Sequence, residues 1–350
     1  MHKETTKEII LPAALTKQLL IWYDSGHREL PWRENPSPYY VWVSEIMLQQ
    51  TRVEAVKPYF SRFMKALPNI AALAVAEEEV LLKLWEGLGY YRRVFQMQRA
   101  AVIIMERYGG RMPQSYAELL CLPGIGEYTA GAIASIAFHQ PVPAVDGNVL
   151  RVLARVTGEE REIQLAQVKK DFFFALKKIY PQKRCGDFTQ SLMELGAVVC
   201  LPNGMPKCGD CPIADWCLAF QQNRTDELPI KKEKKPRRIE EKTVFLLQCG
   251  DKIAVRKRME KGLLSGLWEY PNTEGCLSET EAEKYLKAQG IVLEKITALG
   301  KARHVFTHVE WHMIGYLVLC RKEYKDTVWV TSKQIEQEIS LPSAFRHFKV

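Results

Sequence analysis

Several absences bound this chain before any motif is read. In 350 residues no apolar run approaches the ~18 needed to span a bilayer, so no membrane helix is expected. The first residues, MHKETTKEIILPAALTK, carry no long apolar core and no cleavage motif, so no signal peptide is expected and the chain reads as cytoplasmic, or nucleoid-associated if bacterial. An acidic excess is missing too. Lys and Arg number 49 against 41 Asp and Glu, a net charge of +8 that favours a polyanionic partner without demanding one. The nine cysteines are an odd number, and four of them crowd between Cys200 and Cys217. In a chain of this kind such crowding points to metal ligation rather than to disulfides.

What is present is organised around Leu122–Asn148, LPGIGEYTAGAIASIAFHQPVPAVDGN. A hairpin at Leu122-Pro123-Gly124-Ile125-Gly126 precedes a small-residue helix over 127–138, and a loop ends in Asp146-Gly147-Asn148 before a helical run. Gly124 and Gly126 remove side chains where backbone approaches something closely. The N–H groups at the following helix start favour an anion such as a DNA phosphate. An ordinary tight turn is the alternative. Asp146 reads as an N-cap, which does not exclude chemistry.

Upstream, the spacing predicts a helix over 11–24 and a turn at Leu30-Pro31-Trp32-Arg33. A further helix starts after Pro38, with Glu45 in its first turns. There Glu45 either complements the helix dipole or, if buried near Trp32 and Leu48, becomes a general acid with a raised pKa. The segment Trp85-Glu86-Gly87-Leu88-Gly89-Tyr90-Tyr91 is too glycine-rich for a helix interior. Leu88 and Tyr90 are either core residues or wedges entering a distorted duplex.

Cys200, Cys208, Cys211 and Cys217 follow the pattern C-x7-C-x2-C-x5-C. Four thiolates in eighteen residues suit a structural zinc or a cubane iron–sulfur cluster, and the single C-x2-C favours iron–sulfur. Residues 223–242, NRTDELPIKKEKKPRRIEEK, read as a basic linker. From Thr243 the texture turns to strands, with a helix near 279–288 and further strands over 313–320 and 326–330. This makes a separate α+β domain, 243–350, of about a hundred residues.

Together these residues resemble the adenine DNA glycosylases of the MutY type, in the helix-hairpin-helix, iron–sulfur glycosylase superfamily. The likeness is carried by PWR at Pro31, SEIMLQQTRVEAV from Ser44, GLGYY from Gly87, LPGIGEYTAGAI from Leu122, AVDGNVLRVLAR from Ala144, the cysteines, and GLLSGLWEYP from Gly262. It implies an all-α catalytic region over 1–222, with a helical barrel and a 4Fe-4S module, and a C-terminal Nudix-like domain. By that resemblance Glu45 protonates adenine at N7, Asp146 stabilises an oxocarbenium-like sugar, and Tyr128 and Asn148 hold the two carboxylates. Trp32, Arg33, Leu48 and Gln190 line the adenine pocket, while Gln50 and Tyr90 occupy duplex space near the mismatch. Gln49, Leu88, Leu122, Gly124 and Gly126 count with the DNA contacts.

Gly126-Glu127-Tyr128-Thr129 offers no lysine of the kind that cleaves strands in the endonuclease III type, so base removal without efficient lyase activity is expected. Glu281–Gly290, EAEKYLKAQG, lacks the glutamate-rich Nudix helix, which leaves recognition rather than hydrolysis. The family's Phe-Ser-His reader of 8-oxoguanine stands here as Phe306-Thr307-His308, and the first cysteine interval is one residue longer than the family's usual one. The implied partner is double-stranded DNA with A:8-oxoguanine or A:G mispairs, bound by a monomer. The competing functions are a glycosylase for another damaged base and a non-catalytic DNA-binding module.

Overall fold

The structure, a computed structural model, describes residues 9–233, 236–259 and 262–348. Its contacts divide into two units. One joins the chain up to Val75 with Gln96–Glu233, and the other joins Ala76–Phe95 with the C-terminal part.

Among the described residues the first unit is helical. It comprises α1 (Ala14–Ser25), α2 (Pro31–Glu34), α3 (Pro38–Leu48), α4 (Val53–Ala66) and α5 (Ile70–Ala74). The chain passes through α6 (Glu78–Trp85) and α7 (Arg92–Tyr108), then continues with α8 (Tyr116–Leu120), α9 (Glu127–Ala132), α10 (Gly147–Thr157), α11 (Ala166–Ile179), α12 (Cys185–Val198) and α13 (Leu218–Gln221). One core forms where Leu15 and Leu19 of α1 meet Val149, Leu153, Phe172, Phe188 and Leu192 from α10, α11 and α12.

Helix α3 has a clear start: the Ser37 side chain accepts from the Tyr40 N–H and Pro38 takes the first turn. Tyr39 and every residue from Val41 to Met47 are buried, the pattern of a helix enclosed on all sides. Glu45 is the eighth of its eleven residues, so it lies in the last turns and not in the first. The dipole reading is thereby corrected. The C-terminal end of a helix disfavours a carboxylate, so dipole and burial act in the same direction. Helix α9 is also shorter than expected, since the chain passes at Ile133–Ala137 into a π-helical turn.

Among the described residues the second unit is built on a seven-stranded sheet. Its strands are β1 (Arg238–Cys249), β2 (Lys252–Lys257), β3 (Trp268–Glu269), β4 (Asn272–Glu274), β5 (Leu293–Val305), β6 (Val309–Cys320) and β7 (Val328–Thr331). The order is β3-β2-β1-β6-β5, with β4 on β1 and β7 on β2. β1 and β6 are parallel, and the other pairs are antiparallel. Val244, Leu246, Val255 and Trp311 fill one face; Phe245, Leu247 and Val318 fill the other, where Ala282 and Leu286 of α14 (Glu279–Ala288) pack. The short α15 (Ser332–Gln337) follows β7.

Two boundaries differ from the sequence reading. β1 begins at Arg238, inside the segment read as linker, because Arg238, Glu240 and Lys242 continue its alternation and pair in register with β6. Residues 76–95 pack with the sheet unit: the Lys83 ammonium donates to the Ile335 and Ile339 carbonyls, and the Ser340 hydroxyl donates to that of Leu82.

Candidate active site

A cavity of about 860 Å³ in the helical unit gathers residues from distant parts of the chain. Trp32, Arg33, Glu45, Leu48, Gln49, Gln50, Tyr128, Asp146, Asn148 and Gln190 all line it. These come from α2, α3, the turn after α3, α9, the start of α10, and α12.

Glu45 is buried, and the Tyr128 hydroxyl donates to its Oε2. Burial pushes its pKa from the ordinary 4.5 up to about 7, against the Tyr128 hydrogen bond; the neighbouring Asp146 charge raises it further and Arg33 pulls it down. Such a carboxyl is divided between acid and base near neutrality and is suited to proton donation. Tyr128, hydrogen-bonded to Glu45 and influenced by the charge of Asp146, has a pKa held well above its usual value by burial first, so it stays a neutral donor.

Asp146 is the N-cap of α10. The Val149 N–H donates to its Oδ1 at 2.7 Å, and the Asn148 amide donates to its Oδ2 at 2.8 Å. Its pKa is raised overall, because burial outweighs those bonds, a backbone N–H of Asn148 and the Arg151 charge, all of which lower it. Asn148 is itself held, because Arg151 Nη2 donates to its Oδ1 at 2.8 Å and to the Gly196 carbonyl at 2.7 Å. A Cβ on Gly196 would stand 2.5 Å from that of Asn148, so α12 approaches this closely only with glycine there.

The hairpin's two glycines have different environments. Gly124 has φ +77° and lies against Gln96 of α7, where a Cβ would come within 2.8 Å. A Cβ on Gly126 would meet no protein atom within 4 Å, so its face is open. Leu122 is buried. Gln50 and Tyr90 both hold positive φ, 59° and 50°. Strain of this kind, at about 1–3 kcal/mol each, is retained where it positions a functional side chain.

In the second unit, Leu88 is buried and takes the core alternative, while Tyr90 is exposed. Phe306-Thr307-His308 form the tip between β5 and β6, closed by the Phe306 N–H on the Val309 carbonyl. Phe306 packs edge-on against Trp311, and the hydroxyls of Thr307 and Tyr90 share a hydrogen bond of 2.6 Å. Thr307 and His308 are exposed.

Cys200, Cys208, Cys211 and Cys217 line one small cavity with Arg155 and Lys207. Arg155 Nη1 donates to Cys200 Sγ at 3.2 Å. Burial, followed by the proximity of the other three, pushes the Cys211 thiol up to about 12. The four thiols share this one cavity, although among the described residues no group of three or more thiol, imidazole or carboxylate side chains is set to hold a metal ion. The added residue before Cys208 lies in a loop where Gly204 turns at φ +72°.

Sequence reasoning missed several members of the site. Glu194, 1% exposed, follows Gln190 by one helical turn on the same wall and receives both Arg28 and Arg33. The i, i+4 spacing was the available signal. Arg151 lies three residues beyond Asn148 and also binds the Cys200 carbonyl at 2.8 Å. Lys169 of α11 lies on the cavity wall as well.

The comparisons agree with this architecture. A family model described as "HhH-GPD superfamily base excision DNA repair protein" matches residues 43–178, and one described as "NUDIX domain" matches 243–349. A solved thermostable thymine-DNA glycosylase superposes with a TM-score of 0.55 at 27% identity, covering 60% of this chain and 96% of that one. The helical unit and its pocket are therefore of the base-excision DNA repair class. The adenine DNA glycosylase of Buchnera aphidicola subsp. Schizaphis graminum is 34% identical over 303 residues, 86% of each chain. That of Arabidopsis thaliana is 37% identical over 396 residues, 94% of this chain and 62% of the longer plant protein. The chain belongs to the adenine DNA glycosylase family.

Proposed function

We propose that the chain hydrolyses the N-glycosidic bond of adenine mispaired with 8-oxoguanine or guanine in double-stranded DNA, acting as a monomer and without efficient strand cleavage. The observation that carries this reading is the pair of carboxyls in one cavity, Glu45 buried and hydrogen-bonded by Tyr128, and Asp146 capping α10.

A flipped adenine enters the cavity at a cost of a few kcal/mol, less for a mispaired base. Arg33, Leu48, Trp32 and Gln190 supply the planar, apolar and amide contacts that a purine needs. Glu45 gives its proton to N7, so the base leaves as a neutral species with the electron pair of the C1′–N9 bond. Asp146 faces the cationic sugar, water adds at C1′, and the proton released passes to a carboxylate. General acid assistance contributes about 10²–10⁴ in rate. No lysine opens α9, so no Schiff base forms there.

The four cysteines would hold a 4Fe-4S cluster, whose part is structural support for the loop between α12 and α13. Arg151 ties that loop to Asn148 through the Cys200 carbonyl. At the hairpin tip, Phe306, Thr307 and His308 with Tyr90 would read the base opposite adenine.

The test is single-turnover adenine release from duplexes carrying A opposite 8-oxoguanine, G or T, with wild type beside Asp146→Asn, assayed with and without alkali. Release from the first two alone, abolished in the variant and giving strand breaks only after alkali, is the expected result. A cluster-replete protein that frees no adenine would leave a different base or a binding module.

A further inference from the structure

Arg33 and Glu45 line the same cavity, and an unrestrained guanidinium beside a carboxyl would pair with it. Such a pair would take the proton that the chemistry requires. Arg33 instead makes its ion pair with Glu194, Nη2 to Oε2 at 2.8 Å, and its Nη1 donates to the Arg28 carbonyl at 2.8 Å. Its guanidinium also lies 5.7 Å from the centre of the Tyr23 ring. Glu194 is further fixed by Arg28, through Nε at 2.6 Å and Nη2 at 3.0 Å.

We propose that Glu194 is a positioning residue that ties down the Arg33 guanidinium, leaving it able to contact the base but unable to discharge Glu45. This rests on Glu45 being the general acid. The groups that act on Glu45 are Tyr128 from α9, Asp146 from the start of α10 and Arg33 from α2, with Arg33 the smallest influence as it is now held. Three restraints act on one guanidinium: a buried carboxylate, a backbone carbonyl and an aromatic face. An arginine whose only task was to contact a base would need fewer.

The test is the pH dependence of single-turnover adenine release from an A:8-oxoguanine duplex by the full chain, with affinity for a non-hydrolysable duplex measured alongside. In Glu194→Gln the freed Arg33 moves the alkaline limb down by about 1 unit or more, since an opposite charge at contact lowers a carboxyl pKa by that order. The rate at low pH is largely kept. Glu194→Asp restores the limb, and so does adding Arg33→Gln to Glu194→Gln. A Glu194→Gln protein whose rate falls equally at every pH, with the limb unmoved, would overturn the proposal. Should that variant fail to melt cooperatively, Arg33→Gln alone decides: a limb that stays near the wild-type position supports the restraint, since a held guanidinium acts only weakly on Glu45, and one that rises by about 1 unit or more overturns it. Glu45→Gln separates the two readings, because retained release with an alkaline limb in that variant removes Glu45 as the acid, whatever Glu194 does.

Discussion

Replacing Glu45 with glutamine should abolish catalysis and stabilise the protein above neutral pH. In the folded chain burial lifts the carboxyl from 4.5 to about 7. In the unfolded chain it ionises at its ordinary value, so between these limits the unfolded state has released a proton that the folded state retains. Stability is therefore lost as pH rises from the unfolded value through the folded one. A gap of about 2.5 units at 1.36 kcal/mol each gives about 3 kcal/mol at pH ~8, falling below about 1 kcal/mol near pH 5. Glutamine does not ionise, and its carbonyl still accepts from Tyr128. For a unit of roughly 200 residues this corresponds to a Tm about 6–12 °C above wild type at pH ~8, closing to a few degrees at pH ~5. Melting followed by tryptophan fluorescence across that range reads the effect directly. A variant that melts at or below wild type at pH ~8, or by a margin that ignores pH, would refute the burial argument for the acid.

Two further perturbations test other contacts. Gly196→Ala places a methyl 2.5 Å from Asn148 Cβ. It should cost about 1–3 kcal/mol in a melting experiment and slow adenine release through the displaced Asn148; an unchanged rate would detach Asn148 from Asp146. Thr307→Val removes the hydroxyl bonded to Tyr90 at 2.6 Å. Being exposed, that bond should cost under about 1 kcal/mol of stability, while the ratio of rates on A:8-oxoguanine and A:G duplexes drops; an unchanged ratio would exclude Thr307 from reading the opposite base.

What was legible in the sequence was local. The hairpin glycine that turns at Gly124, the N-cap at Asp146 and the limits of α14 each follow from a few neighbouring residues, and the structure agrees with them. Glu45 shows where local reading stops. Pro38 correctly marks the start of α3, but the hydrogen-bond donor to the carboxyl, Tyr128, lies 83 positions away. Glu194 joins Arg28 across 166 positions, beyond any spacing rule. β5 was missed because most of its residues are exposed or half-buried, so its alternation is faint. The charged start of β1 was read as linker because its pairing partner lies some seventy residues on, in β6.

The difference between the two carboxyls is itself local on one side and distant on the other. Asp146 stands at a helix start, where the Val149 N–H, the Asn148 amide and the positive end of the dipole all stabilise its charged form. Glu45 stands near a helix end, with the Tyr128 hydroxyl as its hydrogen-bond donor and apolar residues closing round α3. Burial raises the pKa of both carboxyls in this cavity, but at Asp146 hydrogen bonds from the helix start oppose it, and the Asp146 charge further discourages the ionisation of Glu45. The division of labour between acid and electrostatic partner then depends on Arg33 staying out of the exchange. That makes the buried Glu194, which contributes nothing to either proton transfer, a condition for both roles.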